Sequence, residues 1–169
     1  MKKLIFILFI LTLVLMCNKK NETFIIPDKS IRFRIIANSN NKTDQTTKLE
    51  IKEELQKSLI ANLSTDNYKT TEENIKENLK TVDNILEKYN INYDISYGNN
   101  YFPKKIYKGV TYPEGKYQSL VITLGEGKGD NWWCVLFPPL CLLEAEETEE
   151  TTEVEYKFFI SELIDKYLK

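Results

Sequence analysis

The chain has 169 residues, 42% of them hydrophobic and 28% charged, which suits one domain with a core of useful size once its two ends are set aside. A formal net charge of -2 argues against a phosphate-rich partner, so nucleic acid is not an expected ligand. The absence of histidine removes Ser-His-Asp and Cys-His nucleophilic sites, histidine metal sites and the side chain best matched to proton transfer near neutral pH.

Met1-Lys2-Lys3 is positive and leads into LIFILFILTLVLM, an apolar run from Leu4 to Met16. A run of that length is a signal-peptide core and falls short of the ~20 residues that span a bilayer as a helix. Residues 1–17 are therefore expected to be a signal peptide or N-terminal anchor that exports the chain across the cytoplasmic membrane. No A-x-A-like cleavage site follows the run. Cys17 stands where a bacterial lipoprotein carries its lipidated cysteine, although Met16 occupies the place of the usual small residue. Lipidation at Cys17 and retention as an uncleaved anchor both stay open. Residues 18–29, polar and closing around Pro27, read as a linker.

A folded unit is expected over residues 30–143. Ile31, Phe33 and Ile35 alternate with Arg32 and Arg34, the pattern of a half-buried strand with basic side chains on one face. Asn38 to Asn41 make a turn, and Thr43 or Asp44 can cap a helix running to Leu63 with Leu49, Ile51, Leu55, Leu59 and Leu63 as its stripe. The spacing of Ile75, Leu79, Val82, Leu86 and Tyr89 predicts a second helix from Thr71 to Tyr89, opened by Thr70 and Glu73 at capping-box spacing. Both stripes read as core.

Beyond Asn90 the pattern turns to strands: 91–97, 101–107 with Pro103 marking an edge or strand start, 117–124, and a short apolar strand over 132–137. Residues 144–169 hold a glutamate-dense stretch and an amphipathic helix from Val154 to Leu168. The sum is a single α+β domain, an antiparallel or mixed sheet with a packed helix pair, plus a C-terminal helix.

Gly125-Glu126-Gly127-Lys128-Gly129 lacks the frame of a P-loop or a dinucleotide fingerprint and reads as a turn that needs positive φ. Glu126 and Asp130 form a carboxylate pair of the type used in glycoside hydrolysis, with an exposed loop pair as the plainer reading. Asn131 to Cys141 reads NWWCVLFPPLC. Cys134 and Cys141 are too far apart for a redox C-x-x-C, and two thiols alone make a poor zinc site; an exported chain favours a disulfide between them. No metal or cofactor is expected. Trp132, Trp133, Phe137 and Leu140 either cap the core or project as anchors for a partner.

Taken in order, IRFRIIANS (31–39), DQTTKLEIKEEL (44–55), YFPKKIY (101–107), YPEGKYQSL (112–120) and ITLGEGKGDNWWCVLFPPLC (122–141) resemble the stage II sporulation protein R family of endospore-forming bacteria. The family pattern carries an aspartate where this chain has Asn40. The resemblance implies a signalling protein without enzymatic activity, made in the forespore and exported into the space between the forespore and mother-cell membranes. There it would trigger a membrane-embedded aspartic protease, which processes the precursor of a mother-cell sigma factor. Contact with that receptor is expected from Asn131, Trp132, Trp133, Phe137 and Leu140, together with the Asn38-Ser39 turn. The competing expectations are a wall-polymer hydrolase using Glu126 and Asp130, and an envelope protein tethered through Cys17.

Overall fold

The computed structural model describes residues 24–141 and 152–168. The expected export segment, Cys17 and most of the acidic stretch lie outside the described residues.

The chain enters the fold earlier than its polar composition suggests. Phe24–Ile25 form β1, and Ile26 is fully buried, so the expected linker ends before Phe24 rather than at residue 29. Ile26 seats this segment against the core, while Ile25 is 58% exposed.

β2 (Ile31–Ile36) is the hub of a mixed four-stranded sheet. Its neighbours are β6 (Gly115–Leu124), parallel to it, and β7 (Asn131–Phe137), antiparallel. β3 (Tyr93–Phe102) pairs antiparallel with β6 at the far edge, giving the order β3-β6-β2-β7. The expected strands 91–97 and 101–107 are thus resolved differently. β3 runs through to Phe102, Pro103 ends it, and β4 (Lys105–Tyr107) belongs to a second sheet with β5 (Val110–Tyr112) and β1, in the order β1-β5-β4.

Strand alternation then sorts the side chains. Phe33, Ile35, Leu120, Ile122 and Cys134 share one face, which is covered by the helices. The first, α1, spans Lys42–Ser58 and is capped by Asn41, whose Oδ1 accepts from the Asp44 N–H at 2.8 Å; the expected caps Thr43 and Asp44 lie inside the first turn. Beyond Ser58 the chain tightens into a 3-10 turn over Ile60–Asn62. Leu49 departs from its assigned stripe and is 46% exposed. Lys48 takes the inward position instead, its ammonium held by Gln45 Oε1 at 2.6 Å and the Asp130 carbonyl at 2.9 Å.

The expected single helix from Thr71 to Tyr89 is two helices, α2 (Tyr68–Glu77) and α3 (Leu79–Glu87). Asn67 rather than Thr70 caps the first, accepting from the Thr70 N–H at 3.0 Å. The break falls at Asn78, with φ -94° and ψ 3°, where the side-chain amide donates to the Asn74 carbonyl at 2.9 Å. Asparagine offers the backbone this local alternative to a continuous helix. The apolar stripe nevertheless carries across the break, with Ile75, Val82, Ile85 and Leu86 all buried.

The C-terminal helix, α4 (Glu153–Leu168), closes a smaller core. Tyr156 and Ile160 pack with Ile26, Val110, Tyr112, Val135 and Leu140, and the Tyr112 and Tyr156 hydroxyls lie 2.9 Å apart. One α+β unit results, with α1, α2 and α3 on one face of the main sheet and the small sheet, joined by α4 through Tyr156 and Ile160, on the other.

Candidate functional site

The sequence-expected contact residues do not form one surface. Asn131 to Phe137 is the strand expected over 132–137, so its side chains alternate between faces. Trp132 faces the helices, edge-on to Phe33 at 5.6 Å between ring centroids. Trp133 faces the opposite side, edge-on to Phe102 at 5.4 Å. Phe137 and Leu140 are each 1% exposed and belong to the interior, Phe137 against Tyr68 and Tyr167 and Leu140 in the smaller core. Asn131 alone among these five is exposed. Cys134 and Cys141 are joined in a disulfide with Cα atoms 5.2 Å apart, which ties the end of β7 to the turn after it.

Asn38 and Ser39 are engaged inside the fold. Asn38 Nδ2 donates to Asp44 Oδ2 at 2.8 Å while its Oδ1 accepts the Glu126 N–H at 2.9 Å. Ser39 Oγ donates to the same Asp44 oxygen at 2.6 Å. Asn40 Oδ1 accepts the Asp130 N–H at 2.6 Å, a task an aspartate fills equally, so Asn40 keeps the family's acceptor. These bonds clamp the turn after β2 to the loop between β6 and β7. The glycines there are required: a Cβ on Gly125 would stand 2.2 Å from Asn38 Oδ1, and one on Gly129 2.4 Å from the Ser39 carbonyl. Gly125 and Gly127 have φ of 56° and 62°, which makes the glycine loop the turn it was expected to be. Asp44, half-buried, is held below its ordinary carboxyl value by the hydrogen bonds from Ser39, Asn38 and Asn41.

In the same loop the Glu126 carboxylate is paired with Lys128 Nζ at 2.7 Å, both side chains largely exposed. Asp130 serves through its backbone, its N–H on Asn40 and its carbonyl on Lys48. Among the described residues no three metal-ligating side chains cluster.

The more unusual chemistry lies on the face of the main sheet away from α1, α2 and α3. Arg32 and Ser119 pair across strands there, as do Arg34 with Val121 and Trp133. Between this face and the small sheet is a cavity of about 180 Å³, lined by Arg32, Phe102, Lys105, Tyr112, Trp133 and Val135. Arg32 is only 1% exposed, the largest fully buried side chain of the described residues. Its guanidinium carbon lies 3.3 Å from the centroid of Tyr117 and 5.5 Å from that of Phe102. Arg34 stands over the same Phe102 ring at 4.7 Å, and Lys105 Nζ over Trp133 at 5.1 Å.

Burial pushes both arginines below their ordinary value, opposed at Arg32 by the neighbouring Tyr117 and Tyr112 hydroxyls and the Asp28 carboxylate. Both remain guanidinium ions at any physiological pH. Arg32 Nη1 donates to the Pro113 carbonyl at 3.1 Å, whereas Arg32 Nε, Arg32 Nη2 and Arg34 Nε are buried with no hydrogen-bond partner among the described residues. A buried donor left unsatisfied costs about 1–3 kcal/mol. Stacking on the rings offsets part of that, a desolvated cation–π contact contributing about 2 kcal/mol.

Sequence reasoning placed two arginines on one strand face and went no further. The signal was present in the alternation of β2, but the aromatic rings that surround Arg32 come from positions 102, 112, 117 and 133, which only the pairing of distant strands assembles.

A family model described as Stage II sporulation protein R matches residues 27–147, which takes in the main sheet, β4, β5 and α1 to α3, and leaves out β1 and α4. A Stage II sporulation protein R from Bacillus subtilis (strain 168) is 36% identical over 157 residues, covering 89% of this chain and 70% of that protein. No solved structure matches the chain. The chain belongs to the stage II sporulation protein R family and so has its role in sporulation.

Proposed function

We propose that this chain is an exported signal that binds a membrane-embedded aspartic protease on the mother-cell side and switches it on, so that a sigma-factor precursor is processed. The observation that carries the reading is the cavity around Arg32, where a buried cation has two hydrogen-bond donors without a partner among the described residues. The family assignment, the basic start and apolar run at the N-terminus, and a disulfide suited to an oxidising compartment all support it. Catalysis finds less support. The chain has no histidine, and Glu126 is bonded to Lys128 in an exposed loop.

A ligand shifts an equilibrium only by binding one state better than another. The signal would therefore prefer the active conformation or dimer of the protease. The test co-expresses the exported chain with the protease and its precursor in a non-sporulating host. Cleavage that appears only when all three are present is the expected result. Cleavage independent of this chain, or none with all three folded and correctly localised, removes the reading.

A further inference from the structure

We propose that the Arg32 cavity is a carboxylate-recognition site that takes an aspartate or glutamate side chain carried on an extended segment of the protein partner. Identifying that partner as the receptor protease rests on the function proposed above.

The stereochemistry points to a carboxylate. With Nη1 spent on Pro113, the nitrogens left over are Nε and Nη2, which lie side by side along one edge of the guanidinium. Two parallel N–H bonds from one edge match the two oxygens of one carboxylate. Tyr117 and Phe102 fix the plane of the group before anything binds, so little freedom is lost on binding. Asp28 adds charge near Arg32 but leaves both nitrogens without a hydrogen bond. The cavity, about 180 Å³, exceeds the ~150 Å³ that admits a benzene ring in an engineered protein interior, so one side chain fits.

The mouth favours a peptide over a free anion. β4 and β7 border the cavity, and each is the terminal strand of its sheet, paired on one side only. Such edges offer backbone donors and acceptors to an extended chain. Ile106, 63% exposed, and Tyr107, 37% exposed, supply apolar surface beside them for flanking residues. A lipid surface fits less well. Polybasic membrane sites present about 4–8 cations to the surface, whereas of Arg32, Arg34, Lys105 and Lys108 over the rings around this cavity Arg32 is only 1% exposed, and the chain as a whole carries -2.

The test has two arms. In the first, the full chain is titrated with an acetylated, amidated pentapeptide bearing one central glutamate, and the Arg32 Nε–H resonance is followed by NMR. The expected result is a saturable shift, at least about tenfold weaker for the glutamine version of the peptide and absent for inorganic phosphate at equal concentration. Equal responses to the glutamate and glutamine peptides, or a stronger response to phosphate, overturn the proposal. In the second arm, Arg32→Lys and Trp133→Leu are placed in the co-expression assay, each checked for an intact Cys134–Cys141 bridge and an unchanged circular dichroism spectrum. Arg32→Lys keeps the charge and loses the two-pronged edge, and Trp133→Leu alters the wall without touching Arg32. At least about a tenfold loss of cleavage in both is expected. Wild-type cleavage by both folded variants overturns the site's assignment to the receptor even if the peptide binds. Failure of the wild-type chain to trigger cleavage, with the peptide response intact, instead sinks the receptor reading and leaves the carboxylate site supported.

Discussion

On one face of the main sheet Phe33 and Ile35 meet the apolar stripes of three helices; on the other, one residue away along the same strand, Arg32 and Arg34 lie among aromatic rings with hydrogen-bond donors unspent. Both faces are substantially buried, yet they answer to different requirements. The helix-covered face removes apolar area from water, about 1.5–3 kcal/mol for each large side chain fully enclosed. The opposite face carries a desolvated cation that contributes little to stability and a defined geometry for recognition. Burial alone therefore does not distinguish core from site. The hydrogen-bond balance of the buried groups does.

The sharpest break in that comparison is Phe33→Ala. It should cost about 3–5 kcal/mol in urea unfolding, because Phe33 is fully buried and packs edge-on to Trp132. Replacing Cys134 and Cys141 together by serine comes next. Reopening so short a loop should cost about 2.5 kcal/mol, read as a lower denaturation midpoint with an unchanged slope. Arg32→Met is expected to move stability by no more than about 1 kcal/mol, because lost stacking and removed unsatisfied donors offset one another. The same variant should abolish signalling, which no simple core residue would do at equal stability.

The smallest effect is pH-dependent. Asp44 has its carboxyl value depressed on folding, so its contribution is fully present above the ordinary value of 3.8 and is lost as pH falls through the lower folded value. Asp44→Asn should flatten the acid limb of a stability profile and leave the neutral region nearly level. A profile that changes instead near pH 7 would contradict the assignment.

Much of the fold was legible because its signals are local. The alternation of 31–36, the turn at Asn38 to Asn41, the glycine loop and the cysteine pair all have short-range physical causes, and each stands where it was expected. The break at Asn78 was not legible, since the apolar spacing runs through it and a single asparagine side chain decides the matter. Grouping Trp132, Trp133, Phe137 and Leu140 as one set of contact residues concealed that Trp132 and Trp133 sit on opposite faces of their strand, and that Phe137 and Leu140 are interior. Asn38 and Ser39, expected at a contact, serve to clamp two loops. The cavity was the least legible feature. It needs a guanidinium from β2, rings from β3, β5, β6 and β7, and a lysine from β4, and no sequence window contains them.

Arg32→Met introduced at the chain's own locus in a sporulating host offers the most direct test that recognition resides on the face of the main sheet that carries Arg32. Precursor processing and the thermal midpoint of the purified variant are measured side by side. The expected pair is processing lost with the midpoint held within a few degrees of wild type. Processing retained, or lost only in step with a collapsed midpoint, would show that Arg32 is there for the fold and that the receptor is met elsewhere.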